Sequence, residues 1–271
     1  HFYADETLEH KRLKLGFFCH NRFCPLCNYQ KSKRKALLIS TCMRYLKEEQ
    51  DLEFIFLTLT TPNVQGVRLK SEIEKINGSF HKMMKRKKTS KAIKGFVRNL
   101  EITYNSKRDD FHPHLHVLLC VNKSYFTDSR IYISQNEWLS MWRQSMKDES
   151  ITQVDVRKVD LSSYSAIAEI SKYTSKDSDY LVNKQVFHYF YTSLKGKRGV
   201  GYGGVFKDAK KLYDSGDLDY FMDEDLIDYV YLLKYVWGPK EYVLNSAPIP
   251  LSEEEKKKIN ERFDELDLED L

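Results

Sequence analysis

No run of about 18 or more apolar residues occurs in this chain, which excludes a membrane-spanning helix. No secretory pattern is read at its start, and the first residue is His1 rather than Met, so the sequence reads as a fragment or a processed product. Internal repeats and long polar low-complexity tracts are also missing. With 41% hydrophobic and 13% aromatic residues over 271 positions, a folded domain with a sizeable core is expected. Cysteine is sparse: five residues, an odd number. Without an export signal, that count argues against a disulfide framework and for a reducing cytoplasm.

Charge is present in excess of one sign, but only mildly, at +5. Its placement says more than its sum. Lys31, Lys33, Arg34 and Lys35 form one basic cluster, and Lys82 to Lys94, including Arg86 and Lys87, form a second. Acid collects between Asp214 and Asp228 and again from Glu253 to Asp270. The asymmetry points the first half at a polyanion, the plainer alternative being solvated helix surface.

Apolar periodicity predicts a helix over about 28–47, a strand over 53–60, and a basic amphipathic helix over about 69–87. Strands over 95–104 and 112–121 flank the polar segment 105–110 and read as an antiparallel hairpin. A helix over 135–147, a strand over 152–159 and a helix over 163–176 follow. Beyond them lie a glycine-rich loop (199–204, with positive φ expected), an aromatic helix near Leu226–Trp237, and a charged terminal helix opened by Ser252 and Glu255 in capping-box spacing. This order fits an α+β domain on an antiparallel sheet.

Three constellations carry chemistry. In His112-Pro-His-Leu-His116, strand geometry projects His114 and His116 to one face and Leu115 to the other. Two imidazoles so placed can chelate a divalent cation, and Glu101, flanked by Leu100 and Ile102 on the partner strand, is the natural third ligand. The alternative is a pair of surface histidines. On the helix over 163–176, Glu169, Tyr173 and Lys176 fall at i, i+4 and i+7 and share a face. A phenol is a weak nucleophile until a cation stands near it, and a metal with Lys176 would supply that; a tyrosine packed in the core is the alternative. Cys19-x4-Cys24-Pro-Leu-Cys27 suits a structural Zn²⁺, with His10 the in-sequence choice for the fourth ligand and His1 or an upstream residue competing. Cys42 and Cys120 read as small core residues.

In these segments the sequence resembles the HUH endonuclease superfamily, specifically the replication initiators of rolling-circle plasmids. Phe56-Leu-Thr-Leu-Thr-Thr-Pro-Asn63 is similar to the first motif, His112 to His116 to the metal motif, and Glu169 through Tyr173 to Lys176 to the nucleophile motif, in the family's order. The resemblance implies a central antiparallel sheet of about five strands flanked by helices, with a small N-terminal zinc element and a helical C-terminal extension. The expected domains are 1–50 (zinc element and basic helix), 51–195 (endonuclease core) and 196–271 (extension).

By the same resemblance, Mg²⁺ or Mn²⁺ sits on His114, His116 and Glu101. Tyr173 forms a 5′-phosphotyrosine, Lys176 stabilises charge, and Glu169 ends the cycle, with Tyr180 as a second-tyrosine alternative. The expected ligand is origin DNA, single-stranded or extruded as a hairpin. Lys31, Lys33, Arg34, Lys35, Arg86 and Lys87 are the expected DNA contacts. Gly201-Tyr-Gly-Gly204 lacks the Lys-Ser/Thr of an ATPase loop, so a host helicase and polymerase are expected partners. Homodimerisation stays open. The competing functions are a transposase or relaxase of the same chemistry, a nuclease using activated water, and a zinc-stabilised origin-binding protein without catalysis.

Overall fold

The computed structural model describes residues 1–159, 161, 164–172, 174–222, 228–239 and 241–260. By internal contacts the chain divides into a unit of residues 21–221 and a unit made of residues 1–20 and 222–271.

The larger unit starts with helix α1 (Pro25–Glu48), where Pro25 occupies the first turn and loses no hydrogen bond there. Ile39, Cys42, Met43 and Leu46 recur at helical spacing along α1 and are all buried. Strand β1 (Leu52–Leu59) buries Phe54, Ile55, Phe56 and Leu57 consecutively, which marks a strand covered on both faces. Helices α2 (Gly66–Met84) and α3 (Lys87–Ala92) lead to the long strands β2 (Ile93–Asn105) and β3 (Asp110–Asn122). Then come α4 (Gln135–Met146), β4 (Val154–Val159), α5 (Tyr164–Ser171), α6 (Asp177–Tyr180), α7 (Lys184–Leu194), β5 (Val200–Gly204) and α8 (Val205–Asp214).

The five strands form one sheet in the order β4-β1-β3-β2-β5, every neighbouring pair antiparallel. The fold is therefore the expected α+β arrangement. One face packs Ile55, Leu57, Leu100, Ile102 and Leu115 against α2, α4 and α7. On the other face, Phe54, Phe56, Val97, Leu118 and Cys120 meet α1, α5 and α8. Ser134 and Glu137 cap α4 reciprocally, satisfying amides at its first turn.

Two expectations are overturned. Residues 200–204 are not a loop but the edge strand β5, paired with β2 from Gly95↔Gly204 to Asn99↔Val200. Their glycines serve close packing: a Cβ on Gly203 would stand 2.4 Å from the Phe96 ring. Among 199–204 only Gly204 has a positive φ, at 57°, where the strand turns into α8. Nor is the segment up to Trp237 a helix, since 231–233 and 235–237 are short strands; Leu226 and Ile227 lie outside the described residues. Alternating β-branched and aromatic residues there favour extended pairing.

In the smaller unit, strands at 2–4, 11–13, 231–233 and 249–250 form a four-stranded sheet, and 235–237 pairs with 242–244. Its helix, Glu253–Asn260, begins with the expected capping box: Ser252 and Glu255 hold each other's backbone amides at 3.0–3.2 Å. No helix among the described residues is long and apolar enough to cross a membrane.

Two glycines test the packing in opposite directions. A Cβ on Gly204 would lie 2.0 Å from the Lys94 carbonyl oxygen, in addition to its positive φ, whereas Gly78 on α2 faces open space. Urea unfolding should therefore show Gly204→Ala losing at least about 1–3 kcal/mol, and Gly78→Ala gaining about 0.5–1 kcal/mol. Equal effects would refute the tight β2–β5 packing.

Candidate metal centre

The β2–β3 register decides what meets what. Glu101 pairs directly with His114, Asn99 with His116, and across the other edge Thr58 of β1 pairs with His116. Strand alternation turns all of these side chains to the face that carries α1 and α5. Glu101, His114 and His116 are 6%, 9% and 4% exposed, so their polar atoms must satisfy one another or a ligand.

They do converge. His116 Nε2 lies 2.8 Å from Glu101 Oε2, and His114 Nε2 lies 3.5 Å from the same oxygen. The His114 Nδ1 is 3.2 Å from the His112 carbonyl, which can only accept; Nδ1 therefore donates, and this orients the ring with Nε2 toward Glu101. Burial alone would raise the Glu101 carboxyl, but hydrogen bonds from His114 and His116, reinforced by their charge, hold it well below the usual carboxylate range. The residues thus fit a divalent cation: a carboxylate whose ionised form is favoured and two oriented imidazoles, with donor atoms all within 4.8 Å. Ligands at neighbouring positions of an octahedral Mg²⁺ stand about 3 Å apart, and the two separations here bracket that value.

Around this group sit residues without a sequence signal of their own. Arg157 on β4 donates from Nη2 to Glu169 Oε2 at 2.8 Å and lies 4.9 Å over the Phe56 ring. Glu169 Oε1 in turn is 3.5 Å from His116 Nδ1, so the α5 carboxylate borders the metal group. Asp179 on α6 has its carboxyl raised by burial, with the Glu101 charge a lesser cause.

The expected helix over 163–176 stops at Ser171, so Lys176 does not share a helical face with Glu169. Beyond the stop, the backbone bonds to β2 instead of continuing the helical ladder. The Lys172 carbonyl accepts from Asn99 Nδ2 at 3.0 Å and from Lys35 Nζ at 2.9 Å, and the Thr174 carbonyl accepts from the Ile102 amide at 2.7 Å. Tyr173 itself lies outside the described residues. Lys176 is exposed. Tyr180 is a core residue, 1% exposed, its hydroxyl donating to the Phe23 carbonyl at 3.0 Å.

Of the expected zinc ligands, Cys24 and Cys27 stand at the start of α1 in the larger unit, Cys27 buried, and Cys19 belongs to the smaller unit. His10 has Nδ1 3.0 Å from Asp5 Oδ2. Cys42 and Cys120 are buried, as expected. Of the expected DNA contacts, Lys31 and Lys35 line a cleft on α1, and Lys33 stands over the Tyr29 ring. Arg86 donates to Gln144 at 2.7 Å, and Lys87 begins α3.

The depressed Glu101 has a consequence for acid stability. A carboxylate lowered by folding stabilises the fold above its unfolded pKa of about 4.3, and that stabilisation is lost as pH falls toward the folded value. With metal chelated, the wild type should lose stability more steeply than Glu101→Gln between about pH 5 and pH 3 in urea titrations. Parallel curves would remove Glu101 from the histidine pair.

Comparisons with known proteins agree with the motif order. A family model described as "Replication protein" matches residues 10–243. A Staphylococcus aureus protein named "Protein rep" is 54% identical over 183 residues, covering 68% of this chain and 80% of its own length. Another "Protein rep", from Streptococcus pneumoniae serotype 2, is 38% identical over 225 residues, covering 79% of this chain and 70% of its own. A Staphylococcus aureus "Replication protein" is 31% identical over 219 residues and is covered to 93% of its length. No solved structure matches. The chain belongs to the replication protein family, the plasmid replication initiators whose motifs its sequence resembles.

Proposed function

We propose that this initiator nicks one strand of origin DNA by metal-dependent transesterification and later rejoins it, with Tyr173 as nucleophile. The observation that supports this most is the convergence of His114 and His116 on one oxygen of buried Glu101, beside the strand to which Lys172 and Thr174 are bonded. A divalent cation on those three residues would polarise the scissile phosphate and neutralise charge on its non-bridging oxygens. Mg²⁺ and Mn²⁺ both suit the reaction, and the mixed nitrogen and oxygen donors favour Mn²⁺ of the two.

The residues then divide the work. The Tyr173 phenolic oxygen attacks phosphorus in line; a P–O bond forms to tyrosine, the bond to the 3′-oxygen breaks, and that oxygen leaves as the 3′-hydroxyl after taking a proton. The phenolic proton passes to solvent or to a carboxylate at the site. Lys176 lowers the energy of the developing negative charge. The phosphotyrosine keeps the energy of the phosphodiester, so rejoining needs no ATP. Glu169, aligned by Arg157, accepts the proton of the water or hydroxyl that ends the cycle. With Tyr180 packed among Phe23, Phe187 and Phe190, the single-tyrosine scheme is the better supported one. By their spacing in the sequence, Cys19, Cys24 and Cys27, with His10, are our candidate ligands for a structural Zn²⁺. Host helicase and polymerase supply the unwinding and synthesis.

Incubation with origin single strands and Mn²⁺ should give a protein–DNA adduct that survives denaturation. Tyr173→Phe and His114→Ala should each reduce its formation by about 10³-fold or more. Adduct-free cutting would favour the activated-water nuclease, and binding without cutting the non-catalytic reading. For Glu169→Ala, adduct formation should stay within roughly tenfold of wild type, while its resolution in a single-round termination assay slows by about 10²-fold or more. Unchanged resolution would remove Glu169 from termination.

A further inference from the structure

Helix α1 sets Lys31 and Lys35 one turn apart on a single face. Opposite them run the backbone segments 174–175 and 199–200, and with Arg22 these enclose a cleft of about 210 Å³. Among the described residues no carboxylate lines it. Three other lysines of this unit stand in ion pairs: Lys197 with Glu74, Lys210 with Asp214 and Lys88 with Glu137. Lys35 has no carboxylate partner among the described residues. Its Nζ donates to the Lys172 carbonyl at 2.9 Å, and burial draws its ammonium down to about 8. Arg22 spends its guanidinium on the carbonyls of Leu194 and Lys197, which fixes it without cancelling its charge. Two partly desolvated cations, Arg22 and Lys35, held only by neutral carbonyls are costly unless an anion completes them.

The cleft wall is tied to the proposed reaction centre. Thr174 packs against Gly199 so closely that a Cβ there would lie 2.4 Å from the Thr174 hydroxyl oxygen. The Gly199 carbonyl accepts from the Leu100 amide at 2.9 Å, and the Thr174 carbonyl from the Ile102 amide, on either side of Glu101. Lys35 therefore touches the residue before Tyr173, and the cleft is walled by the residue after it.

We propose that this cleft binds a backbone phosphate of the single-stranded DNA being cut, next along the strand from the scissile one. The identity of the ligand rests on the nicking reading; the anion preference rests on the cleft alone. The cations of the lining suit a backbone phosphate whatever base it carries, so the cleft serves to position the strand.

The test separates the two. Fluorescence anisotropy of a mixed-sequence single-stranded oligonucleotide is measured in EDTA, where no cutting occurs, across a salt series. For Lys31→Gln/Lys35→Gln the plot of log affinity against log salt should be shallower than wild type by about 0.7 for each phosphate that is no longer neutralised. Lys210→Gln, whose charge is already paired, should match wild type. Lys35→Arg should keep the wild-type slope; if its slope falls as far as that of Lys35→Gln, the lysine only shapes the backbone and the phosphate site is overturned. An unchanged slope in the double variant also overturns it, as does a change seen with the duplex form alone. Adduct formation by wild type together with an unchanged slope would leave nicking intact and remove the cleft. The expected slope change without any adduct would do the reverse.

Discussion

An ionised carboxylate inside a β-sheet is the constraint on which the site depends. Glu101 is 6% exposed, and an isolated charge so placed would protonate rather than stay ionised. It stays charged because two imidazoles reach the same oxygen across the β2–β3 ladder. That arrangement requires the strand register to be correct to the residue. A slip by one would turn Glu101 into the apolar layer of Leu100 and Ile102 and break the pairing with His114. The long β2–β3 hairpin, with β1 paired along the far side of β3, makes such a slip expensive, because the apolar packing on both faces would be disrupted with it.

The site also marks where the core yields to chemistry. On the α1/α5 face, β2 and β3 carry Val97, Leu118 and Cys120 at one end and Asn99, Glu101, His114 and His116 further along. Continuing the apolar series would have made a more stable sheet. The polar substitution leaves orphans, such as Asn99 Oδ1 with no partner among the described residues although Asn99 Nδ2 holds the Lys172 carbonyl. Conflicts of this kind between local packing and polarity collect at functional positions.

Much of this was legible in the sequence because strand alternation is a short-range rule. His114 and His116 two residues apart, and a carboxylate set between Leu100 and Ile102, yield the facing group without any knowledge of the rest of the fold. The helical stripe of α1 and the continuous apolar run of β1 were readable for the same reason. What failed was decided by long-range bonds. The helix expected through residue 176 ends at Ser171, where backbone carbonyls find partners on β2 and α1 that lie about 70 and 137 residues away in sequence. The glycines of β5 looked like a loop because nothing local reveals that Phe96 needs the space above Gly203. Arg157 and Asp179 gave no signal, since an exposed-looking charge on a strand or a short helix becomes informative only once its neighbours are known.

This difference in range matches a difference in mechanical role. The candidate metal-ligating atoms sit on paired strands, whose geometry the ladder fixes residue by residue. The chain on either side of the proposed nucleophile belongs to no regular element and is held by single hydrogen bonds from Asn99, Ile102 and Lys35. On the proposed reading, a nucleophile that attacks, remains esterified while a strand is copied, and is then released would gain from neighbours of this kind, because a few separable bonds can be remade at each step. On the nicking reading, candidate ligands fixed by the ladder beside flanking residues held by few bonds are therefore what a reversible strand transfer calls for.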